Sequence, residues 1–372
     1  LIIDNKETII RIMAAALCAA VLLSWSLWDA NSRDFFPTIP LWGEIARPNH
    51  FWPRINAVIL VLLCLGIIWK PNHPILLIAL TLWLTRLCIT DLNRLQPWVW
   101  LYGLILILRL STDSKQFFVY LRWLLATVYV WSGFNKMTPY FAEDNFAWLC
   151  ETFECTRNWG QFPLLGYGLA LFEMGLGIAL LSPSLHSIVK WLIVVFHLCI
   201  IVILSAQNWN YVVIPWNIAM VGLVWLSGKP SFYLRHNFLD FSIFDFVATG
   251  CLVLSGICPA FSLIGWWPTP LSWNMYSNTQ AELTLSTNQT SFCPTKEWCD
   301  VWTQFAYEKG TKLQADDWAL YDLKVPLYSH PSTLRRLGTY YCKASGNSFF
   351  LLTVNRWDKS KEEMDEIKCN NQ

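Results

Sequence analysis

Four groups of polar side chains sit in or beside apolar runs. Lys136 closes the run 118–134, in the segment Trp131-Ser132-Gly133-Phe134-Asn135-Lys136-Met137. A cation there either anchors by reaching the headgroups or does chemistry. An amine deprived of water gives up its proton readily, and the neutral form is a competent general base. Glu173, in Leu171-Phe172-Glu173-Met174-Gly175-Leu176-Gly177, falls mid-run, where a carboxylate must be neutral, paired or facing water. Its glycine neighbours would let a second helix come close. His197, followed by Gln207, Asn208 and Asn210, is a candidate ligand-binding or catalytic imidazole, or else a hydrogen-bonded packing residue. The fourth group is Asp91 between Arg86 and Arg94. It is an interfacial ion network, or a hairpin cap in which Asp91 serves the following helix.

Such groups need a scaffold, and composition says which kind. Of 372 residues 55% are hydrophobic and only 14% are charged, with 23 tryptophans. A soluble domain carries about 25% charged residues. The net charge of +1 leaves no electrostatic footprint for nucleic acid. The expected partner is a lipid bilayer, with other membrane or extracytoplasmic proteins as further candidates. Hydropathy predicts an all-α polytopic membrane bundle of about nine transmembrane helices, near 9–28, 55–69, 74–90, 95–110, 118–135, 163–181, 187–205, 211–227 and 243–265. The run 9–28 has the length of a full span rather than of a signal peptide. Residues 1–265 are thus expected to form the membrane domain and 266–372 a small C-terminal α+β extramembrane domain. In the latter, strands are predicted near 281–286 and 349–355 and helices near 295–308 and 332–344, with Asp300, Asp316 and Asp317 at caps or loops. The charged tail from Asp358 is expected to lack structure.

Basic residues are denser in the segments that face the cytoplasm if the N-terminus is inside, so the chain is expected N-in, with the C-terminal domain extracytoplasmic. Six of the 12 cysteines lie outside the apolar spans: Cys150, Cys155, Cys293, Cys299, Cys342 and Cys369. All fall on the expected outer side and are candidate disulfide cysteines; free thiols are the alternative, and no zinc-type spacing argues for a metal site. Asn288-Gln289-Thr290 fits a glycosylation acceptor.

Three segments together resemble a known family. Trp98-Val99-Trp100-Leu101-Tyr102-Gly103-Leu104-Ile105 resembles a helix ending in Tyr-Leu-Tyr-Gly-Leu-Leu. Residues 129–136 resemble a Gly-Val-Lys-Lys-Leu segment, and Phe196-His197-Leu198 with Asn217 resembles a Phe-His span. These are features of the HTTM superfamily, which includes the vitamin K-dependent γ-glutamyl carboxylases and DoxX-like bacterial proteins. The junction from Trp266 to Ser277 looks like one found in the bacterial members. The resemblance covers roughly residues 1–280. It implies a membrane-embedded pocket for an isoprenoid quinone such as vitamin K, with Lys136 as the base that deprotonates the hydroquinone. Glu173, His197, Arg86, Asp91, Arg94, Trp98 and Tyr102 are the pocket candidates. Lys136 stands at the second lysine of that segment, Asn135 where the carboxylases have the first, and Trp98 where they have a histidine.

Two functions follow as expectations. One is a quinone- or lipid-dependent oxidoreductase or carboxylase-like enzyme with Lys136 as general base. The other is a non-catalytic membrane subunit or scaffold of a larger complex. A transporter fits less well, because no repeat with matching broken helices is evident.

Overall fold

The computed structural model describes residues 5–34, 36–45, 52–229, 242–277, 280–287, 296–308, 311–345, 348–354 and 363–369. In chain order the helices are α1 (Asn5–Leu23), α2 (Trp25–Trp28), α3 (Trp52–Trp69), α4 (Pro74–Thr90), α5 (Pro97–Ser111), α6 (Ser114–Asn135), α7 (Phe146–Cys150), α8 (Glu154–Arg157), α9 (Pro163–Leu180), α10 (His186–Ala206), α11 (Ile214–Leu226) and α12 (Ile243–Leu252). There follow β1 (Ala281–Thr287), α13 (Lys296–Phe305), β2 (Lys312–Gln314), α14 (Ala315–Leu323), α15 (Pro331–Ser345), β3 (Ser348–Val354) and β4 (Glu363–Lys368). The chain divides into two compact units. One holds Leu1–Leu22, Ile59–Thr85 and Gln96–Ser277; the other holds Leu23–Val58, Arg86–Leu95 and Asn278–Gln372.

The first unit is helical, and local chemistry sets its helix starts. Prolines stand in the first turns of α5, α9 and α11, where their missing N–H costs nothing. The Asp113 carboxylate caps α6 by accepting from Gln116 N at 2.8 Å, and Ser242 with Asp245 forms a reciprocal capping box on α12. Among the described residues, five helical runs are long and apolar enough to cross a membrane: α3, α6, α9, α10 and the run Ile243–Ile264, in which α12 continues through a π-helical and a 3-10 turn. Leu164, Ile178, Trp191, Val195 and Ile218 are exposed large apolar side chains, which only lipid tolerates in such density. This is a membrane protein. α6 is its central helix, with 67% of its apolar window buried against 22% in α3 and α10.

Nine full-length spans are not found among the described residues, and the third and fourth are as short as their sequences suggest. Pro74–Thr90, Pro97–Ser111 and Tyr211–Leu226 are shorter apolar helices. At 1.5 Å per residue, the 15 residues of α5 reach roughly 22 Å, short of a hydrocarbon core of about 30 Å. The stretch 9–28 is broken at Ser24, which separates α1 from α2.

α6 and α9 lie nearly backbone to backbone. A Cβ added at Gly133 would meet Ala170 O and Met174 N at 2.6 Å, and one at Gly177 would meet Ala126 O at 2.7 Å. Glycine is therefore required at both crossings. Gly175, in the same segment, faces open space.

The second unit is built on a four-stranded antiparallel sheet in the order β2-β1-β3-β4. Leu285 of β1 pairs with Leu313 on one side and Phe350 on the other. The alternating Leu and Thr of β1 do not mark a wet face, since Thr284, Ser286 and Thr287 are buried as well as Leu283 and Leu285. Thr284 bonds to Gln314 at 3.2 Å and the Tyr341 hydroxyl donates to Ser286 O at 3.2 Å, while the Ser286 hydroxyl meets no partner among the described residues. Trp318 packs on Phe36 at 4.7 Å between ring centroids. The tail read as unstructured holds a strand, because β4 completes its backbone bonding on β3. The disulfide Cys342–Cys369 fixes the end of that strand to α15.

The domain boundary also differs from the one expected at 265/266. Residues up to Ser277 belong with the helices. Trp273 is fully buried and donates to Ser255 O at 3.0 Å, and Asn135 donates to Ser272 O at 2.8 Å. The sheet unit also takes in two earlier segments. The Asp322 carboxylate accepts from the backbone N–H groups of Asp34 and Phe36 at 2.7 and 2.6 Å, and Arg336 donates to Pro40 O and Gly43 O.

Candidate functional site

Within the helical unit, α6 presents Tyr129, Ser132 and Lys136 at a spacing of i, i+3 and i+7, which is one helical face. The close approach of α9 sets Glu173 against that face. Lys136 Nζ donates to Glu173 Oε2 at 2.9 Å, to Ser132 Oγ at 2.7 Å and to Ser132 O at 3.2 Å, and lies 5.9 Å from the centre of the Phe141 ring. Three N–H bonds thus reach three oxygens, which is the donor pattern of an ammonium. Both partners of this ion pair are buried. Such a pair survives desolvation only when its geometry is good and its remaining donors are met. Glu173 Oε1 accepts no hydrogen bond among the described residues.

A second chain of bonds runs from α6 to α10 and α11. Asn217 Nδ2 donates to Val213 O at 2.8 Å, which turns Asn217 Oδ1 toward His197 Nδ1 at 2.7 Å. An amide oxygen only accepts, so the proton is on Nδ1. The neutral ring then offers Nε2 to the Tyr129 hydroxyl, 2.7 Å away. Tyr129, His197 and Asn217 are all buried.

Both polar groups line one cavity of about 170 Å³. The rest of its surface is apolar and aromatic, including Phe196, Ile200, Trp148, Trp209 and Tyr276. Trp209 meets both Trp148 and Tyr276 at 5.3 Å between centroids. The loop that carries Trp209 has Asn208 and Asn210 at positive φ, which asparagine tolerates. It is tied down by Gln207, whose amide donates to Thr152 Oγ1 at 2.7 Å and Trp148 O at 3.2 Å. Asn145 holds Tyr276 by its carbonyl at 2.5 Å.

The structure therefore brings Lys136, Glu173 and His197 together. It does not bring Arg86, Asp91 and Arg94 to them, because these three fall in the other unit. There Asp91 pairs with Arg33 at 2.5 Å rather than with either expected arginine. Asp91 also accepts from Asn93 N, Asn93 Nδ2 and Ile39 N, capping the short turn Leu92–Arg94. Arg94 spends its guanidinium on Leu27 O, Trp28 O, Leu87 O and Thr90 Oγ1. Burial pushes it down to about 10, against the opposing pull of Asp91. Arg86 reaches Asn56 at 3.2 Å. Trp98 and Tyr102 are buried on α5 and do not line the cavity, whose walls come from α6, α7, α9, α10, α11, their loops, and Met275 and Tyr276.

Of the candidate disulfide cysteines, Cys342 and Cys369 are paired and Cys299 is disulfide-bonded; Cys293 and the segment 288–290 lie outside the described residues. Cys150 and Cys155 are free thiols. Cys150 is turned into an apolar cluster with Phe141, Phe146 and Ala170, while Cys155 is exposed.

Tyr129 and Ser132 were not singled out from sequence as functional. Their spacing ahead of Lys136 was a usable signal. Asn217, some twenty residues beyond His197 on another helix, offered none except the resemblance.

No family model, no curated protein and no solved structure matches this chain.

Proposed function

We propose that this protein binds the oxygen-bearing headgroup of an amphiphilic, quinone-like molecule in the cavity between α6, α9, α10 and α11, and exchanges protons with it. The observation that carries this reading is Glu173: a buried carboxylate, balanced by Lys136, lining an apolar cavity with one oxygen that accepts nothing among the described residues. In this reading Glu173 takes the role of base that the HTTM resemblance gives to Lys136. Lys136 is the partner that holds the carboxylate and aims it. Tyr129 gives its proton to His197, so its oxygen lone pairs are free to receive a ligand hydroxyl.

An isoprenoid quinone fits in part. The cavity, about 170 Å³, is smaller than the roughly 300–1,000 Å³ of pockets that enclose whole drug-sized ligands. It suits a ring-sized headgroup, with an apolar tail left to the helix surfaces. When bound, a quinone supplies two-electron, two-proton redox chemistry. Glu173 Oε1 and Tyr129 Oη would hold its hydroxyls, and the aromatic wall would exclude water.

The membrane topology belongs to the same proposal: about nine passages counting α1 and the three shorter apolar helices, N-terminus cytoplasmic, and the sheet-bearing region from Asn278 extracytoplasmic. The Cys342–Cys369 disulfide supports an oxidising compartment for that region.

Purification in native lipids, followed by solvent extraction and mass spectrometry, tests the function. Wild-type protein should retain a quinone or similar amphiphile in near-stoichiometric amount, and Glu173→Gln should lose it. A ligand retained equally by both, or none retained by wild type in native lipids, overturns the reading. The second reading, a non-catalytic membrane subunit, is favoured by the saturation of all three Lys136 N–H groups. It expects stable co-purification with another chain, unaffected by Glu173→Gln.

A further inference from the structure

The helical unit has a second concave site, and its chemistry is opposite to the first. It has a volume of about 360 Å³ and is lined by Lys115, Arg122, Lys229, Ser227, Phe118 and Asn5 among others, with no acidic residue in its lining among the described residues. Arg122 precedes Lys136 by about four turns of α6, roughly 20 Å along the axis. The two sites are therefore separate.

Arg122 is 4% exposed, yet only part of its guanidinium is used. Nη2 donates to Ser227 O at 2.9 Å, while Nε has no partner among the described residues. His186, at the start of α10, is 2% exposed with neither ring nitrogen bonded among the described residues. Arg122, Lys190 and Lys229 all lie within electrostatic reach of His186. Lys190 lies 5.3 Å from the centre of the Trp225 ring. Four cations thus gather around one end of the bundle, and none of the four has a carboxylate partner among the described residues.

Buried positive charge and bare N–H groups without a counter-charge are costly. An anion in the site would relieve both at once. The level is that of the bilayer headgroups, because the cluster sits where α6 and α10 begin and α11 ends. Anions at that depth are phosphates, and basic pockets between membrane helices are suited to them. A planar guanidinium adds bidentate geometry for phosphate oxygens.

We propose that the pocket of Lys115, Arg122 and Lys229, with Lys190 and His186 beside it, binds a phosphate group, carried by a phospholipid headgroup or by a soluble phosphate. The test uses the full chain in detergent micelles. Thermal unfolding is followed while phosphatidylglycerol, phosphatidylcholine or inorganic phosphate is titrated in. Phosphatidylglycerol should stabilise saturably where phosphatidylcholine does not, and the response should weaken with salt. Saturable stabilisation by inorganic phosphate alone would assign the site to a soluble anion instead. Arg122→Gln should abolish the response. Because Arg122 also holds Ser227, the rim variant Lys115→Gln/Lys229→Gln provides the control that leaves this bond in place. It should raise the half-saturating concentration by roughly tenfold or more. Equal stabilisation by the zwitterionic lipid, no saturable response to either phosphate source, or an unchanged response in the rim variant would overturn the proposal.

Discussion

Each unit buries a carboxylate against a basic side chain, but the two pairs are finished differently. Asp91 meets Arg33 and three further N–H donors, and Arg33 meets Ser26 O, Leu27 O and Pro37 O in turn. Those bonds tie down the backbone at Ser26, Leu27, Pro37 and Ile39, and they leave Asp91 nothing to offer a ligand. Glu173 meets Lys136 and no other donor among the described residues, and it borders a cavity. Two buried ion pairs of similar length thus differ in what they do: one is saturated by backbone, the other keeps an acceptor in reserve. Burial and pairing alone do not mark a functional site; the unspent valence does.

The sharpest way to break this comparison is to remove one partner of the saturated pair. Asp91→Ala should strand Arg33 and three N–H groups, costing about 3–5 kcal/mol, and should lower the thermal midpoint strongly. Glu173→Gln, which keeps an acceptor for Lys136, should cost less stability and act mainly on ligand retention. An equal loss of midpoint in both would dissolve the distinction. The double replacements extend it. Lys136→Met/Glu173→Leu should leave stability near wild type while abolishing ligand retention. Arg33→Met/Asp91→Leu should still destabilise, since the N–H groups of Ile39 and Asn93 stay unmet.

A pH titration separates the units next. Burial raises Asp316 of α14 to about 6, despite the bond from Leu327 N that favours its charged form. The folded chain then holds a proton that the unfolded chain releases near 3.8. Stability of the sheet unit should therefore fall as pH rises from about 4 to about 6 and be flat above, by roughly 2–3 kcal/mol. His330, lowered by burial, acts in the opposite direction and loses stability as pH falls through its ordinary value. The difference between wild type and Asp316→Asn isolates the first effect; parallel curves would refute it.

Smaller effects probe the geometry of the cavity. Gly133→Ala should cost about 1–3 kcal/mol, because its Cβ would strike backbone of α9, and it should loosen ligand retention by shifting Glu173. Gly175→Ala, which meets nothing, is the matched control. Tyr129→Phe should cost about 1 kcal/mol in stability by leaving His197 Nε2 without its donor, and it should weaken ligand retention several-fold. A Tyr129→Phe protein with wild-type retention would remove the phenol from the site.

Lys136, Glu173 and His197 were legible as candidates because charge in an apolar run is costly wherever the run is buried. Asp91 and the two arginines were legible for the same reason, and this is where the inference from cost to function failed. The cost can be met by a distant loop, as Arg33 and the 26–40 segment meet it here, and no local pattern announces that partner. β1 and β3 were visible from their composition. β4 was not, since the sequence Glu363-Met364-Asp365-Glu366-Ile367-Lys368 has a tail's charge and gains its order from pairing with β3.

The sequence by itself determined that this chain is a membrane protein, which stretches are helical, and that a few ionisable groups would be withdrawn from water, because hydropathy and residue cost are local properties. The tertiary structure alone decided which charges meet. The glycine crossing of α6 and α9 brings Lys136 to Glu173, and the packing of α10 and α11 on α6 strings Asn217, His197 and Tyr129 into one hydrogen-bonded line. Those partners are tens of residues apart, and only packing in three dimensions sets the distances between them.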